Sequence, residues 1–195
     1  TGRNEMAGEL GRTSFFGTPV SVRRAVFVID NSRSMKGGRL EAAVNELIAS
    51  IDAMTPKQAF YVIFVGKQPY PMFYPQKAPS LLPATAQNKR LLREWLNRVL
   101  LDAGDNRQIM NAMDIAAALQ PEAVYFLCDG DLKYSDKVRL DVMTYLTRPN
   151  QWRFAIHTLG MGVTPMHKDA EFNLTAIAEA HGGTYRPVPI PSSTR

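Results

Sequence analysis

One cysteine in 195 residues, Cys128, leaves this chain without an internal disulfide and without any multi-cysteine zinc site. That residue sits in an apolar run, where a buried and inert thiol is the ordinary expectation. No stretch of about 18 apolar residues occurs, so no segment reads as a membrane-spanning helix. The histidines, His157, His167 and His181, share no metal-ligand spacing. His181 is expected in the last turn of a helix, where a cation favours the dipole. The G-x-x-x-x-G-K-[ST] loop, the G-x-S-x-G elbow and the G-x-G-x-x-G fingerprint are all missing, which removes the usual parts of phosphate and acyl chemistry. There are no internal repeats and no low-complexity block.

What is present suits one globular domain, with 45% hydrophobic residues to build a core. The formal charge of +5 and the pI near 9.4 invite a nucleic-acid reading. The basic residues are nevertheless spread along the chain. Their densest group, Lys89, Arg90, Arg93 and Arg98, falls on the polar side of a predicted helix, so no nucleic-acid partner is expected. The first residue is Thr1, which suggests a piece excised from a longer protein, with its compartment left open.

The chain is organised around R-A-V-F-V-I-D-N-S-R-S-M, residues 24–35. Ala25 to Ile29 form a short unbroken apolar run, the mark of a strand buried on both faces. Asp30, Ser32 and Ser34 follow at alternate positions. In an extended segment alternate side chains point the same way, so a carboxylate and two hydroxyls converge above the strand end. Three hard oxygens there form part of a site for Mg2+. The same residues also serve as helix caps or turn formers, and that alternative stands beside the first. Asp30 is expected to face solvent and to contribute little to the core.

Residues 1–23 read as an arm, with Phe15 and Phe16 packed on the domain or forming a short edge strand. Residues 24–188 read as the domain and 189–195 as a proline-rich tail. Further strands are predicted at 60–65, 72–74, 123–128, 153–159 and 184–188. Helical periodicity appears at Leu40, Ala43, Val44, Leu47 and Ile51, then at Leu92, Trp95, Leu96, Val99 and Leu100. It recurs at Ile109, Ala112, Met113 and Ala116, over 136–147, and at Leu174, Ile177 and Ala178. Gly182 and Gly183 supply a left-handed cap to that last helix. The link from 66 to 71 is too short for a parallel crossover, so 72–74 pairs antiparallel at an edge. The fold class is therefore α/β: a doubly wound, mostly parallel six-stranded sheet with one antiparallel edge strand and helices on both faces. Ligands of such sheets bind beyond the carboxyl ends of the strands, where Asp30 and Asp129 both lie.

F-V-I-D-N-S-R-S-M and the later Y-F-L-C-D-G-D resemble two motifs of the von Willebrand factor type A domain, D-x-S-x-S-M and a strand ending in T-D-G-E. The resemblance covers about residues 24–190, and the leading F-F-G and compact size look more like bacterial members. It implies a metal-ion-dependent adhesion site with Asp30, Ser32, Ser34 and Asp129 as ligands of Mg2+, or of Mn2+ or Ca2+. It also implies a protein partner whose acidic side chain completes the metal's shell, and the setting of a larger, membrane-anchored or exported bacterial protein. The middle motif departs. Where the family has a threonine ligand this chain has Arg107, which cannot coordinate a cation. Asp105 or Asn106 could replace it, or Arg107 could turn inward and compete with the metal.

The expected function is a non-enzymatic protein-interaction module. The alternatives are a metal-independent scaffold with a degenerate site, or a hydrolase using Asp30 as nucleophile. The second of these lacks the acid usually found two residues on, where Ser32 stands.

Overall fold

A computed structural model describes residues 10–99, 108–130, 136–164 and 166–190. In chain order, a hairpin of β1 (Ser14–Phe15) and β2 (Thr18–Pro19) precedes β3 (Arg24–Asp30), α1 (Arg39–Asp52), β4 (Ala59–Val65), β5 (Pro69–Pro71) and β6 (Leu82–Pro83). There follow α2 (Ala86–Leu96), α3 (Ile109–Ala118), β7 (Ala123–Cys128), α4 (Asp136–Leu146), β8 (Ala155–Met161), α5 (Lys168–Ala180) and β9 (Tyr185–Val188).

Six positions cross the main sheet, in the order β5-β4-β3-β7-β8-β9, with β6 sharing the outer edge of β4. Strands β4, β3, β7, β8 and β9 run parallel, while β5 and β6 pair antiparallel to β4. This is the mostly parallel, doubly wound sheet expected, with two refinements. The antiparallel edge strand is Pro69–Pro71 rather than 72–74, and β8 begins at Ala155 rather than Arg153. Prolines are tolerated in β5 because an edge strand needs its N–H groups on one side only. Helix α2 stops at Leu96, short of the stripe that continues to Val99 in the sequence.

The chain winds from β3 through α1 to β4 on one side and later returns to β7 on the other side of β3. Strand order therefore reverses between β3 and β7, which opens a crevice at their carboxyl ends. One face of the sheet carries a row formed by the register Phe27, Tyr125 and His157, with ring centroids 5.4 and 5.1 Å apart. Phe15 of the hairpin meets Phe27 edge-on at 5.2 Å, and the Tyr125 hydroxyl donates to the Pro19 carbonyl at 2.8 Å. Each such ring pair adds about 0.5–1.5 kcal/mol beyond simple burial. Side chains alternate along a strand, so Thr158 faces the other way, and its hydroxyl donates to the Leu174 carbonyl of α5 at 2.7 Å. Helices thus cover both faces, α1 with the hairpin on one and α5 on the other.

Phe15 and Val20 are fully buried, so this part of the arm belongs to the core. It is fixed by polar contacts as well. The Phe16 N–H donates to Glu46 Oε1 at 2.7 Å, and the Thr13 hydroxyl donates to the Ser50 carbonyl at 2.7 Å. The buried Gln58 amide accepts from the Gly11 N–H at 2.9 Å and donates to the Val22 carbonyl at 3.1 Å. Two residues of the basic group on α2 are tied down too. Lys89 Nζ donates to the Asp52 and Met54 carbonyls at 2.9 and 2.7 Å, and Arg93 pairs with Asp52. They secure the end of α1 rather than form a phosphate track.

Gly182 adopts a left-handed φ of +65° after α5, as its sequence predicts. Gly183 packs so closely on β8 that a Cβ there would stand 1.9 Å from the Ile156 carbonyl oxygen.

Candidate functional site

Asp30 closes β3, and Asp129 follows β7. Ile29 stands opposite Leu127 in the parallel register, so the two carboxylates leave adjacent strands at nearly the same height. Both act on the Cys128 thiol between them. Complete burial pushes that thiol well above its ordinary range, and the negative charges of Asp30 and Asp129 push it further.

Asp30 is fully buried, and its Oδ1 accepts the Ser32 N–H at 2.8 Å. This corrects the expectation of a solvent-facing carboxylate. The loop that follows is anchored in the core by the fully buried Met35, and Asn31 and Ser32 are buried along with Asp30. The segment after Ser32 is also a short 3-10 turn, Arg33–Met35, not an extended run, with the Met35 N–H donating to the Ser32 carbonyl at 3.0 Å. The hydroxyls of Ser32 and Ser34 nevertheless meet, 2.9 Å apart.

That spacing suits a small hard cation. Ligands at the ~2.0–2.1 Å demanded by Mg2+ in octahedral geometry lie about 2.9 Å apart on adjacent corners. The donor set of two hydroxyls and nearby carboxylates is hard oxygen throughout. Among the described residues no three His, Cys, Asp or Glu side chains are grouped to hold a metal, so a shell built from these residues alone takes in hydroxyls. Arg107, Asp105 and Asn106 lie outside the described residues.

A different arginine stands at the site. Arg39 opens α1, and its Nη1 donates to the Ser34 carbonyl at 3.0 Å and lies 4.0 Å from Asp129 Oδ2. It ties the first loop to the third. The sequence held a signal for it: a cation in the first turn of a helix opposes the macrodipole, so an arginine there has another reason to be present. Lys168, the first residue of α5, carries the same signal.

Ser34, Arg39 and Asp129 line one wall of a cleft of about 620 Å³, with Arg139, Lys168 and Asp169 on the other side. Gly130 shapes its floor. With φ at +73°, it brings the loop so close to α5 that a Cβ would stand 2.6 Å from the Ala170 Cβ.

Of the three histidines, only His167 reaches the cleft. His181 caps α5, its Nε2–H donating to the Leu146 carbonyl at 2.7 Å. His157 Nδ1 accepts the Thr184 N–H at 3.2 Å on the far face of the sheet. His167 touches the cleft rim, where its Nδ1 accepts the Thr164 N–H at 3.3 Å. No helix among the described residues is long and apolar enough to cross a membrane.

The family whose sequence pattern matches is described as von Willebrand factor type A domain, over residues 23–187. A human protein, inter-alpha-trypsin inhibitor heavy chain H4, is 27% identical over 153 residues, covering 72% of this chain and 16% of its own length. A solved structure of a von Willebrand factor type A protein from Catenulispora acidiphila superposes with a TM-score of 0.68 at 19% identity, covering 90% of this chain and 41% of that one. The ArnB paralog VWA2 from Sulfolobus acidocaldarius superposes at 0.55 and 15% identity, covering 93% of this chain and 50% of that one. The chain thus spans about half or less of the length of each of these relatives.

Proposed function

Since the chain belongs to the von Willebrand factor type A family, whose domains often mediate protein interactions, we propose that it is a non-enzymatic interaction module engaging a protein partner at the crevice above Asp30 and Asp129. The observation that carries this is that two carboxylates end neighbouring strands beside the paired Ser32 and Ser34 hydroxyls, with Ser34 and Asp129 opening into the cleft. In this reading Asp30, Ser32, Ser34 and Asp129 hold a divalent cation, Mg2+ first and Mn2+ or Ca2+ as alternatives. When bound, the cation supplies an open position for an acidic side chain of the partner. The basic rim of Arg39, Arg139 and Lys168 favours the approach of such a group.

A second reading has its own support. Arg39 already joins the two loops through Ser34 and Asp129, which suits a scaffold that holds its shape without metal. The hydrolase reading has none, since Ser32 occupies the place of a second acid and Asp30 is buried against the Ser32 N–H.

Calorimetric titration with MgCl2 separates the readings. The interaction module binds Mg2+ weakly, and both Asp129→Asn and Ser34→Ala lose that binding. Wild-type protein that takes up no Mg2+ or Mn2+ would leave the scaffold. Phosphatase or esterase activity lost in Asp30→Asn would overturn the non-enzymatic reading.

A further inference from the structure

A second groove continues from the cleft and lies between α4 and α5. It encloses about 960 Å³ and is lined by Leu140, Met143, Phe172 and Ala176, among others. The two hollows share Arg139, Asp169 and Asn173, so they form one continuous surface. Of six large hydrophobic side chains exposed among the described residues, three flank it: Leu140 at 67%, Phe172 at 71% and Met166 at 90% exposure. Side chains of this size are seldom left in water together on one surface without something to cover them.

The charges along this surface have a direction. Arg39, Arg139 and Lys168 stand at the crevice end, with Asp129 and Asp169 among them, and the far end is marked by the exposed Glu179. Between the ends the lining is mostly apolar or uncharged. The surface follows α5 from Lys168 to Ala180, 13 residues or about 20 Å. That length matches about six residues of extended chain or about four turns of helix.

We propose that the occupant is a linear segment of a partner protein, with an acidic side chain at the crevice, apolar side chains against Leu140, Met143 and Phe172, and a basic residue beside Glu179. Burial of the apolar side chains supplies most of the affinity, and the charges set direction and register. The proposal rests on the reading of the crevice as a partner site and adds to it the chemistry of the rest of the ligand.

The test uses phage-displayed random dodecapeptides selected on the 195-residue chain in Mg2+, with an enriched peptide then made with a fluorophore for anisotropy. Phe172 and Leu140 are exposed, so Phe172→Ser and Leu140→Ser leave the core intact. The expected peptides carry an acid followed by at least two apolar residues. Their binding falls at least tenfold in Phe172→Ser and in Leu140→Ser, and at least threefold in Lys168→Glu. Peptides that lose binding in Asp129→Asn but not in Phe172→Ser would overturn the groove while preserving the crevice. Binding insensitive to all of these variants, or no enriched peptide, would overturn both. A dimer of this chain that Phe172→Ser dissolves would assign the groove to a second copy and overturn the proposal.

Discussion

Arg39 Nη1 lies 4.0 Å from the Asp129 carboxylate while donating to the Ser34 carbonyl at 3.0 Å, so one guanidinium spans the two loops of the crevice. A metal at this site has to share Asp129 with a resident cation. Unit charges at that distance attract by about 4 kcal/mol at an effective dielectric near 20, before desolvation. The Arg39 side chain is a quarter exposed, so solvent screening leaves about 1 kcal/mol of that. Arg39→Gln is therefore expected to bind Mg2+ about fivefold more tightly in a calorimetric titration. Unchanged or weaker affinity would show that the guanidinium does not compete for the site.

Asp30 is predicted to matter for stability as well as for ligand binding. Its Oδ1 is the acceptor for a buried Ser32 N–H, and Asp30→Ala removes that acceptor without replacement. A buried donor left unsatisfied costs about 1–3 kcal/mol. In a domain of this size that lowers the melting temperature by about 3–10 °C. Asp30→Asn keeps an oxygen in place and should recover at least half the loss. Equal melting of the two variants would place the contribution of Asp30 in its charge rather than in this hydrogen bond.

The parts of this structure that could be read in the sequence are those where burial leaves a local imprint. β3 and β7 are covered on both faces, and that condition writes unbroken apolar runs ending at Asp30 and at Cys128, beside Asp129. The edge was harder to place. Pro69–Pro71 does not look like a strand by propensity, and only its pairing with Ile63 to Val65 makes it one. The packing of Phe15 on the domain is legible from two aromatics in a polar arm, but its place against the ring row of Phe27 and Tyr125 is a contact that no local pattern records. Arg39 is hard to single out from the sequence for a similar reason. Its partners, Ser34 and Asp129, are 5 and 90 residues away along the chain, and only the wrong-signed charge at a helix start pointed to it.

Cys128 should be silent in the folded protein. Its thiol is wholly buried, accepts the Gly130 N–H at 3.3 Å, and is pushed up first by burial and then by Asp30 and Asp129. Little thiolate exists at pH 8 under those conditions, and none is accessible. A disulfide reagent is expected to label the native chain at least a hundredfold more slowly than the same chain in denaturant. Rapid labelling of native protein would mean that the carboxyl end of β7 opens readily, and with it the crevice.

His157 is expected to give the fold a specific acid sensitivity. Burial lowers its pKa from the ordinary 6.5, its Nδ1 accepts the Thr184 N–H at 3.2 Å, and its ring stacks on Tyr125. A proton on Nδ1 would remove that acceptor. Well above pH 6.5 the ring is neutral in both folded and unfolded chains, so its contribution is fully present there. Below that, the unfolded chain binds the proton first and stability falls. The loss continues until pH passes the lowered folded value. His157→Gln keeps an acceptor near the Thr184 N–H but cannot titrate. Melting temperatures of both proteins at pH 7.5 and 5.5 isolate the effect, because the carboxylates contribute equally to each. Wild type is expected to lose more on acidification than His157→Gln, and equal losses would show that His157 titrates alike in both states.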